Sequence, residues 1–373
     1  MPAPPAFGDT IMRSRKYLFY MPALAGGGAE RVWALLASEF ARRGHEVIFA
    51  VDYAAPENAD FLDPAVRCVT LPPGHFRAVL GLARLLWREK PDVSLSGIGV
   101  SNLKHMLAAL MVWRHRRAVI SFHGFFPSEP QFLSRLGNEL SFVFTRLCGR
   151  AITVSDGLRT ALIEKHHAST RRVMRIYNPV YAAKEADAVT RESLAARAPV
   201  ILFVGRFHAD KDIATLLNAF AKVSYPDARL EIVGDGALRP EMEALAARLG
   251  IVDRVTFSGY LADPSVAYRR ARGLALTSKR ESFGNVVAEA LEHGLPVATT
   301  ATDGPSEILE HGRFGAIVPT GDAGALARAL DAMLADPGDP APRIEQAKLF
   351  AVDKATDTYL AMTETVMREA GGD

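Results

Sequence analysis

Two series of short apolar runs, each run followed by a stretch of helical periodicity, fill this chain and meet at the break Asn178-Pro179. The first series has runs at 17–21, 46–51, 67–71, 93–95, 118–122, 151–154 and 175–177, with an amphipathic stretch at 29–43 behind a glycine-rich turn. The second has runs at 200–204, 230–233, 255–258, 274–277 and 297–300. Alternation of this kind builds βαβ units, with parallel strands and helices on both faces of the sheet. Proline disfavours helix at the residue before it, so the chain changes course at 178–179, and an Ala-rich, charged linker is expected over 178–198. A single core seldom grows beyond about 250–300 residues, so the 373 residues, 49% hydrophobic, predict two α/β domains, at 13–178 and 199–351. Both read as doubly wound, Rossmann-like units facing a cleft, and such units bind ligands outside the carboxyl ends of their strands.

The chemistry-bearing residues fall at those ends. His123 follows the run 118–122, Arg206 follows 200–204, Asp235 follows 230–233 and Glu281 follows 274–277. Glu281 opens the run Glu281-Ser282-Phe283-Gly284-Asn285-Val286-Val287-Ala288-Glu289, in which Phe283, Gly284 and Asn285 lead into a helix with an apolar face. Backbone N–H groups at a helix N-terminus form an anion site. At about 1.5 Å per residue, Glu289 lies several ångströms deeper, so one ligand can span carboxylate, anion site and carboxylate. A phosphate flanked by hydroxyl-rich groups fits, which describes a nucleotide-sugar. Each glutamate read alone is equally a solvated loop or helix carboxylate.

Breaking a sugar–diphosphate bond leaves negative charge on the nucleotide, and Arg206 and Lys211 are placed to stabilise it. As a pair at the start of a helix they could also be ordinary surface cations. Asp210-Lys211-Asp212 imitates a metal-binding Asp-x-Asp, but no second ligand cluster accompanies it, and Asp210 or Asp212 reads as a helix cap. No metal and no cofactor are expected. Gly26-Gly27-Gly28 follows the first strand, where side chains would block a ligand from the backbone. It is not Gly-x-Gly-x-x-Gly, and Gly234-Asp235-Gly236 lacks the third glycine, so the dinucleotide fingerprint is missing. His123, next to Gly124, is a candidate ligand contact or a satisfied polar residue. No Gly-x-Ser-x-Gly elbow supports a hydrolase.

Taken in order, Gly26-Gly27-Gly28-Ala29-Glu30-Arg31, Ser121-Phe122-His123-Gly124, Gly205-Arg206-Phe207-His208-Ala209-Asp210-Lys211-Asp212, Val233-Gly234-Asp235-Gly236 and the Glu-x7-Glu run resemble family 4 of the retaining glycosyltransferases, of the GT-B fold. The likeness runs from Lys16 to about Tyr359. It implies transfer of a sugar from a nucleotide-sugar, UDP favoured over GDP, to a glycan acceptor. It also implies a donor site of Gly27, Gly28, Arg206, Lys211, Asp235, Glu281, Phe283, Gly284, Asn285 and Glu289. Arg206 and Lys211 would hold the diphosphate, Glu281 the sugar hydroxyls, Glu289 the ribose, and His123 the donor sugar. The turn Asp303-Gly304-Pro305-Ser306-Glu307 would be cleft scaffolding. In this architecture a last helix, at about 352–369, crosses back onto the first domain. A nucleotide-sugar epimerase and a non-catalytic carbohydrate- or lipid-binding module share the architecture and stay as rival readings.

Cys68 and Cys148 are the two cysteines, without a Cys-x-x-Cys or Cys/His cluster, so neither a disulfide framework nor a zinc site is indicated. The Pro/Ala-rich leader at 1–10 lacks the order of a signal peptide, and no apolar run reaches the roughly 18 residues of a membrane span; together these point to a cytosolic chain. The net charge of +2 is unevenly divided. Residues 1–180 hold 23 Lys and Arg against 14 Asp and Glu, a net +9, and the remainder 21 against 28, a net −7. A basic first half suits an anionic membrane surface or a phosphorylated lipid, and no nucleic acid is expected. Two stretches fit such a contact. One is Phe76, Leu80, Leu82, Leu85, Leu86 and Trp87 punctuated by Arg77, Arg84, Arg88 and Lys90; the other is Leu107 to Trp113 followed by Arg114, His115, Arg116 and Arg117. The expected place of action is the inner face of a membrane, with a lipid-linked sugar as acceptor.

Overall fold

The computed structural model describes residues 14–25, 27–55, 59–124, 132–180 and 189–371. Gly26, the leader at 1–10 and residues 181–188 of the expected linker lie outside them. Strands β1 (Lys16–Met21), β2 (Glu46–Val51), β3 (Arg67–Thr70), β4 (Val93–Gly97), β5 (Ala118–Phe122), β6 (Arg150–Thr153) and β7 (Val173–Arg175) form one sheet. All its pairs are parallel, in the order β3-β2-β1-β4-β5-β6-β7. A second parallel sheet has β8 (Val200–Val204), β9 (Arg229–Val233), β10 (Val255–Gly259), β11 (Gly273–Leu276), β12 (Val297–Thr300) and β13 (Ala316–Val318), in the order β10-β9-β8-β11-β12-β13. Leu18 to Met21 and Ile201 to Phe203 are buried without interruption, as strands covered on both faces require.

Both sheets reverse direction of growth beside their first strand, between β1 and β4 and between β8 and β11. A crevice therefore opens at the carboxyl ends of those strands. Helix α1 (Gly28–Arg42) begins at the first of these points. It ends at Gly44, whose φ of +86° lets His45 N–H reach the Phe40 carbonyl and Gly44 N–H the Ala41 carbonyl, a Schellman closure. Helices α2 (His75–Glu89) and α3 (Gly99–Met111) cover the opposite face of the first sheet.

The C-terminal helix, Val352–Gly371, packs on α1 and on β4 of the first unit. Tyr359, Met362 and Val366 share a core with Trp33 and Phe40, and the Tyr17 hydroxyl meets Thr363 Oγ1 at 3.2 Å. The return is marked by a bridge between Val180 and Ala351. Two details depart from the sequence expectation. Pairing of β7 with β6 stops at Arg175, because Tyr177 leaves the sheet to pack its ring on Phe283 and Phe350. The three-residue β13 is too short for alternation to register.

α2 and α3 lie side by side and turn a mixed face outward. Phe76 is 74% exposed, Trp87 66% and Trp113 86%, beside exposed Leu80, Leu107 and Met111. Phe76, Leu80, Arg84 and Trp87 recur at helical spacing, so Arg77, Arg84 and Arg88 edge one apolar stripe. The expected basic cluster at 114–117 is different. Arg114 is hydrogen-bonded to the Pro91 carbonyl and Arg117 to the Asp92 carbonyl at 3.4 Å, so these two guanidinium groups hold the entry to β4 rather than standing free.

Candidate active site

At the β8 end the chain turns through Gly205, Arg206 and Phe207 against the β9 end, with Phe207 N–H donating to the Asp235 carbonyl at 2.9 Å. Gly234 has φ +132° and a Cβ there would lie 2.0 Å from the Gly205 carbonyl oxygen. Only glycine lets these two turns stack. Asp235 faces away from them. Its side chain is 57% exposed and bonded to Gly236 N–H at 2.7 Å and Arg239 at 3.3 Å.

At the β11 end, Thr277 Oγ1 donates to the Lys211 carbonyl at 2.9 Å and ties the two strand ends together. That contact places Lys211 Nζ directly on Glu281 Oε2, which also accepts from Ser278 Oγ at 3.3 Å. Asp210 is paired with Arg280 at 2.6 Å, and Asp212 takes the Thr215 hydroxyl at 2.8 Å and Lys279 at 3.6 Å. Of the two aspartates expected as a helix cap, Asp212 takes the N-cap position of the helix Ile213–Phe220 with φ +45°, but without a side-chain bond to the helix backbone, and His208 Nδ1 rather than an aspartate accepts from Asp210 N–H. Among the described residues no three His, Cys, Asp or Glu side chains converge as metal ligands.

Gly284, at φ +90°, precedes the helix Asn285–Glu292. Phe283 is 3% exposed and sandwiched between Tyr177 and Phe350, so it serves the site by fixing its backbone and not by offering its ring. Gly304 lies flat against the Phe283 backbone, where a Cβ would come within 2.3 Å of Cα. The rest of that turn bridges the units, with Glu307 accepting from the Tyr177 hydroxyl at 2.7 Å and from Asp156 N–H at 2.8 Å. Asn285 spans the crevice, its Oδ1 accepting from Asn178 at 2.9 Å and its Nδ2 donating to the Gly28 carbonyl at 3.4 Å.

One turn of helix deeper, Glu289 accepts from the Tyr268 hydroxyl at 2.7 Å and faces Arg31 of α1 at 3.7 Å. Burial and the adjacent Glu289 charge hold the Tyr268 phenol well above its ordinary range. Arg31 itself lies over the Phe61 ring at 4.6 Å. These residues line a cavity of about 820 Å³ between the units, shared by Ser38 and Asp63 on one side and Asp263 and His293 on the other. Nearer the strand ends, the Glu30 carboxylate folds over the first turn of α1, in the space a Cβ on Gly27 would fill, at 2.1 Å. Burial raises the Glu30 pKa, and the positive charge of Arg206 opposes that rise.

His123 stands at the β5 end. Its Nε2 receives the Trp33 indole N–H at 3.0 Å and lies 3.2 Å from Ser121 Oγ. Burial lowers its pKa to about 4, so the ring is neutral at pH 7.

Along one crevice, cations Arg31, Arg206 and Lys211 thus alternate with carboxylates Glu30, Glu281 and Glu289. A ligand carrying phosphate between hydroxyl groups meets charge of the right sign at each point. The structure brings Glu281, Lys211, Gly28, Asn285 and Glu289 to the same cleft. It turns Asp235 toward Arg239 and buries the Phe283 ring. Sequence reasoning missed Tyr268, Trp33 and the roles of Glu30 and Arg31. The last two lay inside the quoted Gly26–Arg31 run, whereas nothing local in the sequence marked Tyr268.

Residues 26–184 match a family model described as Glycosyltransferase Family 4, and residues 187–350 one described as Glycosyl transferases group 1. The chain is 30% identical over 332 residues to the lipopolysaccharide core biosynthesis glycosyltransferase LpsE of Rhizobium meliloti, covering 83% of this chain and 86% of that one. It is 25% identical to a Campylobacter jejuni N-acetylgalactosaminyltransferase named for a diphospho-undecaprenol-linked glycan, over 86% of this chain and 89% of that one. Among solved structures, Anabaena HepE with UDP and glucose superposes with a TM-score of 0.78 at 20% identity, over 94% of this chain and 100% of that one.

Proposed function

Because the chain belongs to family 4 of the glycosyltransferases and has their GT-B fold, we propose that it moves a sugar, with retention of anomeric configuration, from a UDP-sugar to a lipid-linked glycan. GDP-sugar is the second choice of donor. The observation that carries this reading is the Lys211–Glu281 pair at the β8/β11 switch point, one helix N-terminus away from Glu289. The C-terminal unit would hold the donor and the N-terminal unit the acceptor.

In this reading the diphosphate lies on the N–H groups of Gly284 and Asn285, beside Lys211 and Arg206. The ribose hydroxyls bond Glu289, and Glu281 orients the sugar. As the sugar–phosphate bond breaks, the leaving oxygen gains charge that the two cations stabilise without a metal ion. Asp210 is already neutralised by Arg280, which supports this metal-free account. The departing phosphate takes the proton of the acceptor hydroxyl on the same face, so the new bond keeps the old configuration. UDP in the HepE complex and the lipid-linked glycan in the Campylobacter enzyme's name support the choice of donor and acceptor class. NMR of the product tests it: transfer from a UDP-α-sugar should give an α-linked product, and a β-linkage or a new free nucleotide-sugar would overturn the proposal.

No helix among the described residues is long and apolar enough to cross a membrane. The outward face of α2 and α3 would instead rest on an anionic membrane surface, its exposed aromatic groups in the interface and its arginines on headgroups. Arg88 is paired with Glu89 at 2.9 Å, so at about 1 kcal/mol per basic residue Arg77 and Arg84 give weak, reversible recruitment. Sedimentation with anionic vesicles at low salt and release at high salt are expected, with binding weakened in Trp87→Ser and Arg84→Ser. Equal binding to neutral vesicles, or none to anionic ones, would remove the membrane from the account.

A further inference from the structure

Trp33 is fully buried in the core of the first unit, edge-on to Phe19 at 5.4 Å. A buried indole needs an acceptor for its N–H, and here it is an imidazole, His123 Nε2 at 3.0 Å. The fit is tight. A Cβ on Gly97 would lie 2.3 Å from the indole nitrogen, so the glycine at the end of β4 makes room for it. From the other side, Ser121 Oγ stands 3.2 Å from the same Nε2.

Indole N–H can only donate, so Nε2 must be the accepting nitrogen. A neutral imidazole has one proton, which then resides on Nδ1. His123 Nδ1 is buried and has no hydrogen-bond partner among the described residues. An unsatisfied buried donor is costly unless something completes it. We propose that Trp33 is the positioning residue of the site: its N–H fixes His123 as the Nδ1–H tautomer, so that the ring donates a hydrogen bond to an oxygen of the bound donor sugar. The inference rests on the proposed function for the identity of that oxygen; the tautomer itself does not. Trp33 acts through His123, and Gly97 and Ser121 act through Trp33 and the ring.

Two-bond 1H–15N correlation NMR of the full chain reads the tautomer without any substrate, with the His123 signals assigned by their loss in His123→Gln. The wild-type protein should show Nδ1–H. Trp33→Phe keeps the ring and removes the donor, and should give a tautomer mixture, with turnover lowered roughly tenfold, about 1.4 kcal/mol, and nucleoside diphosphate affinity unchanged within about twofold. Gly97→Ala, which pushes the indole aside, should act in the same direction, so the inference does not depend on one variant folding. Ser121→Ala should retain Nδ1–H because Trp33 remains. An Nε2–H tautomer in the wild type, or a Trp33→Phe protein with unchanged tautomer, would overturn the inference, and so would a shifted tautomer with unchanged turnover. A wild-type chain that shows Nδ1–H, binds donor and transfers nothing would count against the proposed function while upholding Trp33's hold on His123.

Discussion

Lys211→Ala is expected to lower turnover by roughly two to three orders of magnitude, the range seen when a preorganised stabiliser of developing charge is removed. Lys211 Nζ is committed to Glu281 in the free protein, and Thr277 fixes the backbone that presents it. Its ammonium group therefore needs little reorganisation when phosphate charge develops beside it. Removing it also strands the Glu281 carboxylate, whose side chain is 17% exposed and would keep only the Ser278 hydroxyl. That second effect predicts that Lys211→Ala loses more than Arg206→Ala, since Arg206 is exposed and its removal leaves the Lys211–Glu281 pair intact. Single-turnover rates at saturating donor measure both variants, and the same assay with chelator should be unaffected. Loss of activity on chelation, restored by a divalent ion, would require the Asp210–Arg280 pair to open and would contradict the metal-free account.

Glu281→Gln should lower turnover on the order of a hundredfold while nucleotide affinity stays within a few-fold. The amide can still hydrogen-bond sugar hydroxyls but cannot hold the Lys211 ammonium as a charge partner. Glu289→Ala should act at a different stage. It removes the acceptor of the buried Tyr268 hydroxyl and the partner of Arg31 at once, so stability falls by about 1–3 kcal/mol and nucleotide binding weakens. Adding Tyr268→Phe to Glu289→Ala removes the stranded hydroxyl. Stability should then recover while the binding defect remains, which separates ligand contact from packing.

The fold was legible in the chain because the βα alternation of both halves is strong, and the switch-point rule then put His123, Arg206, Asp235 and Glu281 at strand ends without any knowledge of contacts, although the Asp235 side chain turns to Arg239. The pairing of Lys211 with Glu281 was not legible. It depends on β8 and β11 being neighbours in the sheet, although 70 residues separate the two side chains. Tyr268 was missed for the same reason, since its partner Glu289 lies on another helix. Phe283 was read with Gly284 and Asn285 as a loop presenting backbone N–H groups; the burial of its ring between Tyr177 and Phe350 was not legible, because only the returning chain brings Phe350 to it. At 114–117 the composition suggested a free basic cluster. Two of its arginines are instead spent on the carbonyls of Pro91 and Asp92, because a strand entry buried at the sheet's end must satisfy its backbone acceptors.

The account turns on a cleft that binds a nucleoside diphosphate through Glu289 and uses Glu281 for the transferred sugar. Thermal unfolding with UDP and with GDP, in the wild type, Glu281→Gln and Glu289→Ala, tests it most directly. At about a hundred times its dissociation constant one of the two nucleotides should stabilise the wild type by roughly 2.7 kcal/mol, the Glu281→Gln protein by nearly as much, and Glu289→Ala far less. Absence of stabilisation by either nucleotide, or equal loss in the two variants, would contradict it.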